Sequence, residues 1–183
     1  MPVAFDRDRI ERFLDRAAAS LEGEWLLVGG AAAAVWFKAG RITEDIDLIG
    51  FAGTSAERMQ LMELASVEGI PIEAVNSAAD FFVYRIPDWK AHIEVLRRGP
   101  CAMIYRPSPT LFLLLKIGRL SEQDLEDCLA LLEVVERDKL VLDRERLIEA
   151  LGALPAADHP LCERRDRLVA AISSGQAHRT PPG

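Results

Sequence analysis

Asp45 and Asp47 are the residues whose type and spacing most directly suggest chemistry. They lie in Arg41-Ile42-Thr43-Glu44-Asp45-Ile46-Asp47-Leu48-Ile49, whose second half alternates acidic and apolar side chains. That alternation is the period of a half-buried strand, in which residues i and i+2 share a face. Two carboxylates projecting side by side repel unless a cation lies between them. Hard oxygen donors favour Mg²⁺ or Mn²⁺, and magnesium typically takes one or two carboxylates and completes its shell with water and substrate phosphates. Two solvated acids on an edge strand would give the same pattern.

Gly29 and Gly30 stand a short distance upstream, between the apolar run Trp25-Leu26-Leu27-Val28 and an alanine-rich stretch from Ala31 to Ala39. The run reads as a buried strand and the stretch as a helix. Glycine lets a ligand approach the backbone closely, and a helix N-terminus offers free N–H groups to phosphate. A plain strand-to-helix turn is the structural alternative. The order is a phosphate cradle, one short helix and then a paired-acid strand, which points to a metal–phosphate substrate.

Val28-Gly29-Gly30 followed by Arg41-x-Thr43-x-Asp45-Ile46-Asp47-Leu48 resembles the signature of the polymerase-β-like nucleotidyltransferase superfamily. The 14-residue gap from Ala31 to Glu44 and the wording around Asp45 resemble its small bacterial members of the abortive-infection and toxin–antitoxin type. The resemblance implies two divalent ions and a nucleoside triphosphate (NTP) as co-substrate, with transfer of NMP to a hydroxyl on tRNA, a protein or a small molecule. It also implies a third carboxylate on a later strand. The candidate is Glu94 in Ala91-His92-Ile93-Glu94-Val95-Leu96, where the family usually carries Asp. Glu94 would then ligate metal and could take the nucleophile's proton. Asp80 and Asp88 sit at a helix start or turn and are weaker candidates. The alternative for Glu94 is a surface acid on an amphipathic strand. Arg41 and Thr43 would brace the metal strand.

A second resemblance covers Leu113-Leu114-Leu115-Lys116-Ile117-Gly118-Arg119-Leu120 and Asp124-Leu125-Glu126-Asp127, which look like the helical pair of the same group. It implies a role for Lys116 at the triphosphate. An ion pair with Asp127 is the structural alternative.

The elements that must position these groups follow from periodicity. Helices are expected at Asp6 to Leu21, after Gly30, and from Ser55 to Glu68; strands at Trp25–Val28, in the Asp45–Ile49 region, at Phe81 to Ile86 and at His92 to Leu96, with Ile70 to Val75 as a further candidate. Past Pro107-Ser108-Pro109 every segment reads as helix: Thr110 to Leu120, Glu122 to Arg137, Arg144 to Leu151 and Leu161 to Ser173. Ser121 to Asp124 resembles a capping box. The expected fold is α+β: a small mixed sheet flanked by helices over residues 1–107, a helical region at 108–173 packed on it, and a polar, disordered tail at 174–183.

The 183 residues are 50% hydrophobic and 28% charged, enough for a core and unlike a disordered chain. Lys and Arg number 22 against 29 Asp and Glu, a net charge of −7, which disfavours a protein that grips nucleic acid over its whole surface. No apolar run is long enough to span a membrane. MPVAFDRDRIER has no apolar signal segment, so a cytoplasmic protein is expected. Cys101, Cys128 and Cys162 are far apart and His92, His159 and His178 lack metal-binding spacing, which argues against a disulfide framework or a zinc site. A non-catalytic binding module of a toxin–antitoxin pair, with a partner protein, is the alternative to the enzyme. A D-x-D glycosyltransferase is a third reading that leaves Gly29 and Gly30 unexplained.

Overall fold

The structure, a computed structural model, describes residues 4–76, 79–156 and 158–175. It is an α+β fold that divides into two compact units, residues 1–108 and 109–183. The polar tail expected at 174–183 lies outside the described residues except for Ser174, which ends a helix, and Gly175, which caps it.

The first unit opens with α1 (Arg7–Ser20), capped by Asp6, whose carboxylate accepts from the Arg9 N–H at 2.8 Å. Ile10, Phe13, Leu14, Ala17 and Ala18 form its buried stripe. Strand β1 (Gly23–Val28) follows, then α2 (Gly29–Trp36), β2 (Ile46–Gly50) and α3 (Ser55–Val67). Thr54 and Glu57 form a capping box on α3. Beyond it lie a 3₁₀ turn at Ile72–Ala74, β3 (Val75–Asn76), the single turn α4 (Asp80–Val83), a 3₁₀ turn at Trp89–His92, and the hairpin β4 (Ile93–Arg98) and β5 (Ala102–Pro107).

These strands form one mixed sheet in the order β3-β2-β1-β5-β4. β1 runs antiparallel to β2 and parallel to β5, while β4 and β5 are antiparallel with an irregularity between Val95 and Arg97. Trp25, Leu26, Leu27, Leu48, Ile49 and Ile104 are essentially fully buried at the sheet's centre. Burial on both faces explains why β1 reads as an unbroken apolar run.

Two expectations need correction. Phe81 to Ile86 is not a strand. Asp80–Val83 is a helical turn in which Phe81 and Phe82 are exposed and Val83 alone is buried. A four-residue apolar run carries too few periods to separate helix from strand. Residues 102–107, given no element above, form β5, a central strand that ends on Pro107 where no further ladder donor is needed.

Among its described residues the regular elements of the second unit are helices: α5 (Pro109–Ile117), α6 (Glu122–Asp138), α7 (Arg144–Gly152) and α8 (His159–Ser174). α5 packs on α6 and α7, and α8 on α6 and α7. Leu113, Leu125, Cys128, Leu131, Leu147, Leu168 and Ile172 are among its buried side chains. The capping box at Ser121 and Asp124 is present.

Candidate functional site

The turn from β1 into α2 is made by Gly29 with φ +68°, a conformation that a side chain resists. A Cβ at Gly29 would lie 2.5 Å from Asp47 Oδ2, so the Asp47 carboxylate rests directly against the turn. Register explains the approach: Asp47 is the β2 partner of Val28, the residue before the glycine. A carboxylate beside the first residue of a helix also has the favourable sign for its dipole.

Gly30 is crowded from another direction. A Cβ there would lie 2.7 Å from Thr43 Oγ1 and 3.0 Å from Arg41 Nη2. Thr43 is buried and held by a two-way backbone bridge with Phe5, at 2.8 and 3.1 Å, so the N-terminal segment clamps the approach to β2. Its hydroxyl donates to the Asp45 carbonyl at 3.2 Å. Arg41 also donates to the Ile42 carbonyl. Asp45 immediately precedes β2 and is exposed. Gly29, Gly30, Arg41, Thr43 and Asp47 thus form one constellation at the start of α2.

Glu94 is not part of it, which corrects the expected triad. β4 is three strand positions from β2, about 14 Å across the sheet. The faces differ as well. Paired residues share a face and successive residues alternate. Asp47 pairs with Val28, on the face of Leu26; Leu26 pairs with Tyr105; Glu94 pairs with Arg106, one residue on and therefore on the other face. There the Glu94 carboxylate accepts from Arg106 Nη2 at 2.6 Å, and the Arg106 guanidinium lies 3.9 Å from the Trp36 ring centroid. Burial lowers the Arg106 pKa, opposed by the adjacent Glu94. Among the described residues, no group of three or more His, Cys, Asp and Glu side chains is placed to hold a metal ion together.

Asp47 lies against the turn and Asp45 is exposed just before β2; both are hard oxygen donors of the kind Mg²⁺ takes, and Glu94 is on the opposite face of the sheet.

Lys116 lies in the helical unit and is 7% exposed. Its Nζ is 2.6 Å from Asp124 Oδ1 and 3.6 Å from Asp127 Oδ2. Asp124 also accepts from Arg119 Nε and Nη2 at 2.8 and 2.9 Å and from the Ser121 hydroxyl at 2.9 Å. Burial opposes ionisation of Asp124, yet the hydrogen bonds from Arg119 and Lys116 outweigh it and hold the carboxyl well below the usual range. The sequence reads Asp124 as a cap and as part of the helical-pair resemblance, with Asp127 as the expected partner of Lys116. Its role as the acceptor of Lys116 and Arg119 follows from the packing of α6 on α5.

No protein-family model matches the chain, and no curated protein or solved structure matches it.

Proposed function

We propose that the chain is a cytoplasmic, metal-dependent nucleotidyltransferase that moves NMP from an NTP to a hydroxyl acceptor, within a toxin–antitoxin system. The observation that carries this reading is the Asp47 carboxylate set against left-handed Gly29 at the head of α2. Asp45 and Asp47 would hold the cation, Mg²⁺ or Mn²⁺. When bound, that ion neutralises phosphate charge and favours departure of pyrophosphate. The first-turn N–H groups of α2 receive phosphate oxygens, as helix N-termini do. Arg41 adds a guanidinium at the same turn, and Thr43 fixes the backbone that carries Asp45. The acceptor oxygen bonds to the α-phosphorus, the bond to pyrophosphate breaks, and the hydroxyl proton passes to solvent. Glu94 has no part, and Lys116 acts through the fold of the helical unit. None of the described helices is long and apolar enough to span a bilayer.

A second reading is favoured by one observation, the withdrawal of Glu94 into its pair with Arg106. With two carboxylates left, the chain would bind Mg·NTP without turning it over and serve as the non-catalytic half of a toxin–antitoxin pair.

The test compares melting of the wild type and of the Asp45→Asn, Asp47→Asn double variant, with and without Mg²⁺ and each of the four NTPs. Ligand at about 100 Kd stabilises the wild type by roughly 2.7 kcal/mol, and the double variant shows no shift. Pyrophosphate release with tRNA, protein or small-molecule acceptors then separates enzyme from binding module. A wild type with no metal-dependent shift on any nucleotide sinks both readings.

A further inference from the structure

A cluster of aromatic side chains lies on the sheet face of Asp47, four residues further along the chain. Asp47, Ile49 and Phe51 follow one another at i, i+2 and i+4, and the Phe51 N–H donates to the Glu24 carbonyl at 3.0 Å, continuing the β1–β2 ladder by one residue. On the same face β5 carries Tyr105, the register partner of Leu26. The Phe51 and Tyr105 rings are 5.3 Å apart and inclined by 31°, and Trp89 meets Phe51 edge-on at 4.9 Å. Phe51 and Tyr105 are partly exposed, whereas Trp89 is buried beneath them. The Tyr105 hydroxyl donates to Glu24 Oε1 at 2.7 Å, which holds the ring in place.

The cluster carries its own cations. Lys90 is exposed, with Nζ 5.3 Å from the Phe51 centroid and 5.4 Å from that of Trp89. Arg98, also exposed, pairs with Met103 two residues before Tyr105 and approaches its sulfur at 3.6 Å. The Glu24 carboxylate also reaches the rings, where it accepts from the Tyr105 hydroxyl. A chain of net charge −7 thus presents, at this place, rings flanked by Lys90 and Arg98, with Glu24 hydrogen-bonded to one ring hydroxyl.

We propose that Phe51 and Tyr105, flanked by Lys90 and Arg98, form a stacking platform for single-stranded RNA. Aromatic side chains on a sheet face that accept successive bases, with cations for the intervening phosphates, are a general solution to sequence-tolerant single-strand binding. An apolar protein partner would be served by the rings and not by the cations. A lone nucleotide is ordinarily enclosed in a pocket, whereas a strand can lie along an open sheet face. The proposal does not depend on the metal reading at Asp45 and Asp47, though it would supply a nucleic-acid acceptor to an enzyme.

The experiment is fluorescence anisotropy of the full chain with labelled oligouridine and oligoadenosine RNA of about eight nucleotides, within the usual range for one such platform. The wild type binds saturably. Phe51→Leu and Tyr105→Leu each weaken binding about five- to hundredfold, the loss of one stacked base. Because Phe51 touches buried Trp89, Lys90→Ala and Arg98→Ala are the controls for folding: both sites are exposed, and each change lowers the salt dependence of binding by roughly 0.7 in log–log slope. The Asp45→Asn, Asp47→Asn protein retains RNA affinity, and Phe51→Leu retains any Mg·NTP shift, so the two readings fail separately. The platform is refuted by an absence of saturable binding, by equal affinity for an abasic oligonucleotide, or by folded Phe51 and Tyr105 variants that bind as well as wild type. Sedimentation showing that the wild type self-associates and these variants do not would assign the face to a protein interface instead.

Discussion

Two residues carry opposite kinds of constraint. Gly29 is demanded twice, by its left-handed φ and by the Asp47 oxygen standing where a Cβ would go. Gly29→Ala is expected to destabilise by about 1–3 kcal/mol from backbone strain, with further cost as Asp47 is displaced, and to remove the Mg·NTP shift. Melting with and without ligand reads both effects, and an alanine protein with wild-type stability and wild-type shift would sink the close approach. Lys116 is constrained by charge. Lys116→Ala removes the ammonium from buried Asp124 and Asp127 while Asp124 keeps Arg119 and Ser121, and losing a hydrogen bond to a charged group costs about 1.5–3 kcal/mol. Denaturant unfolding measures that loss. Unchanged stability with weakened NTP binding would instead favour the phosphate role that the sequence resemblance implied. The cysteines divide in the same way. Burial pushes the Cys128 thiol up to about 12, while Cys101 and Cys162 are exposed. A thiol reagent at neutral pH should therefore titrate Cys101 and Cys162 quickly in the native protein and Cys128 only on unfolding.

At the scale of elements, the β4–β5 hairpin is fastened to α1. Arg97 pairs with Asp15 at 3.1 Å and with Glu11, and a Cβ at Gly99 would fall 1.7 Å from the Ala18 carbonyl oxygen. That contact is backbone, so no side chain can rotate out of the way. Gly99→Ala should force the hairpin off α1 and lower stability by more than an exposed substitution, which usually stays within about 0.5 kcal/mol. Truncating Arg97 should cost much less, because exposed ion pairs contribute about 0–1 kcal/mol. Comparing the two melting temperatures tests whether backbone packing or charge fastens the hairpin, and equal losses would refute the ranking. The same hairpin explains the fate of Glu94. The acid is on a strand, as its apolar neighbours suggested, but that strand is the sheet edge remote from β2.

For the whole molecule, stability against acid should depend on Asp124. Its carboxyl is held below the ordinary range in the folded chain, so the unfolded state binds a proton first as pH falls. The stabilisation is complete above about pH 4, the ordinary pKa of aspartate, and is lost progressively below it as pH approaches the folded value. Asp124→Asn should be less stable than wild type at neutral pH and should show a shallower decline between neutral and acid pH. Denaturant midpoints along that range measure it, and parallel curves would refute it.

Much of this was already determined by local sequence. The stripe of α1, the buried run of β1, the capping boxes of α3 and α6, and the helical character of segments 109–117, 122–138, 144–152 and 159–174 are short-range properties, set by side chains within a few positions of one another. The approach of Asp47 to the glycine turn was foreshadowed by motif order. What only the tertiary structure decided is everything that depends on strand order and register. A single strand's sequence states which residues alternate, not which neighbour it pairs with or which face is turned toward a given site. Hence Glu94 and Asp47 lie on opposite faces although both sit on strands, β5 takes an inner position between β1 and β4 without a strong strand signal, and Phe51 and Tyr105, 54 positions apart, share one surface. Pairing between strands distant in sequence is settled by the packing of the assembled sheet, and that information is not local to any of the segments involved.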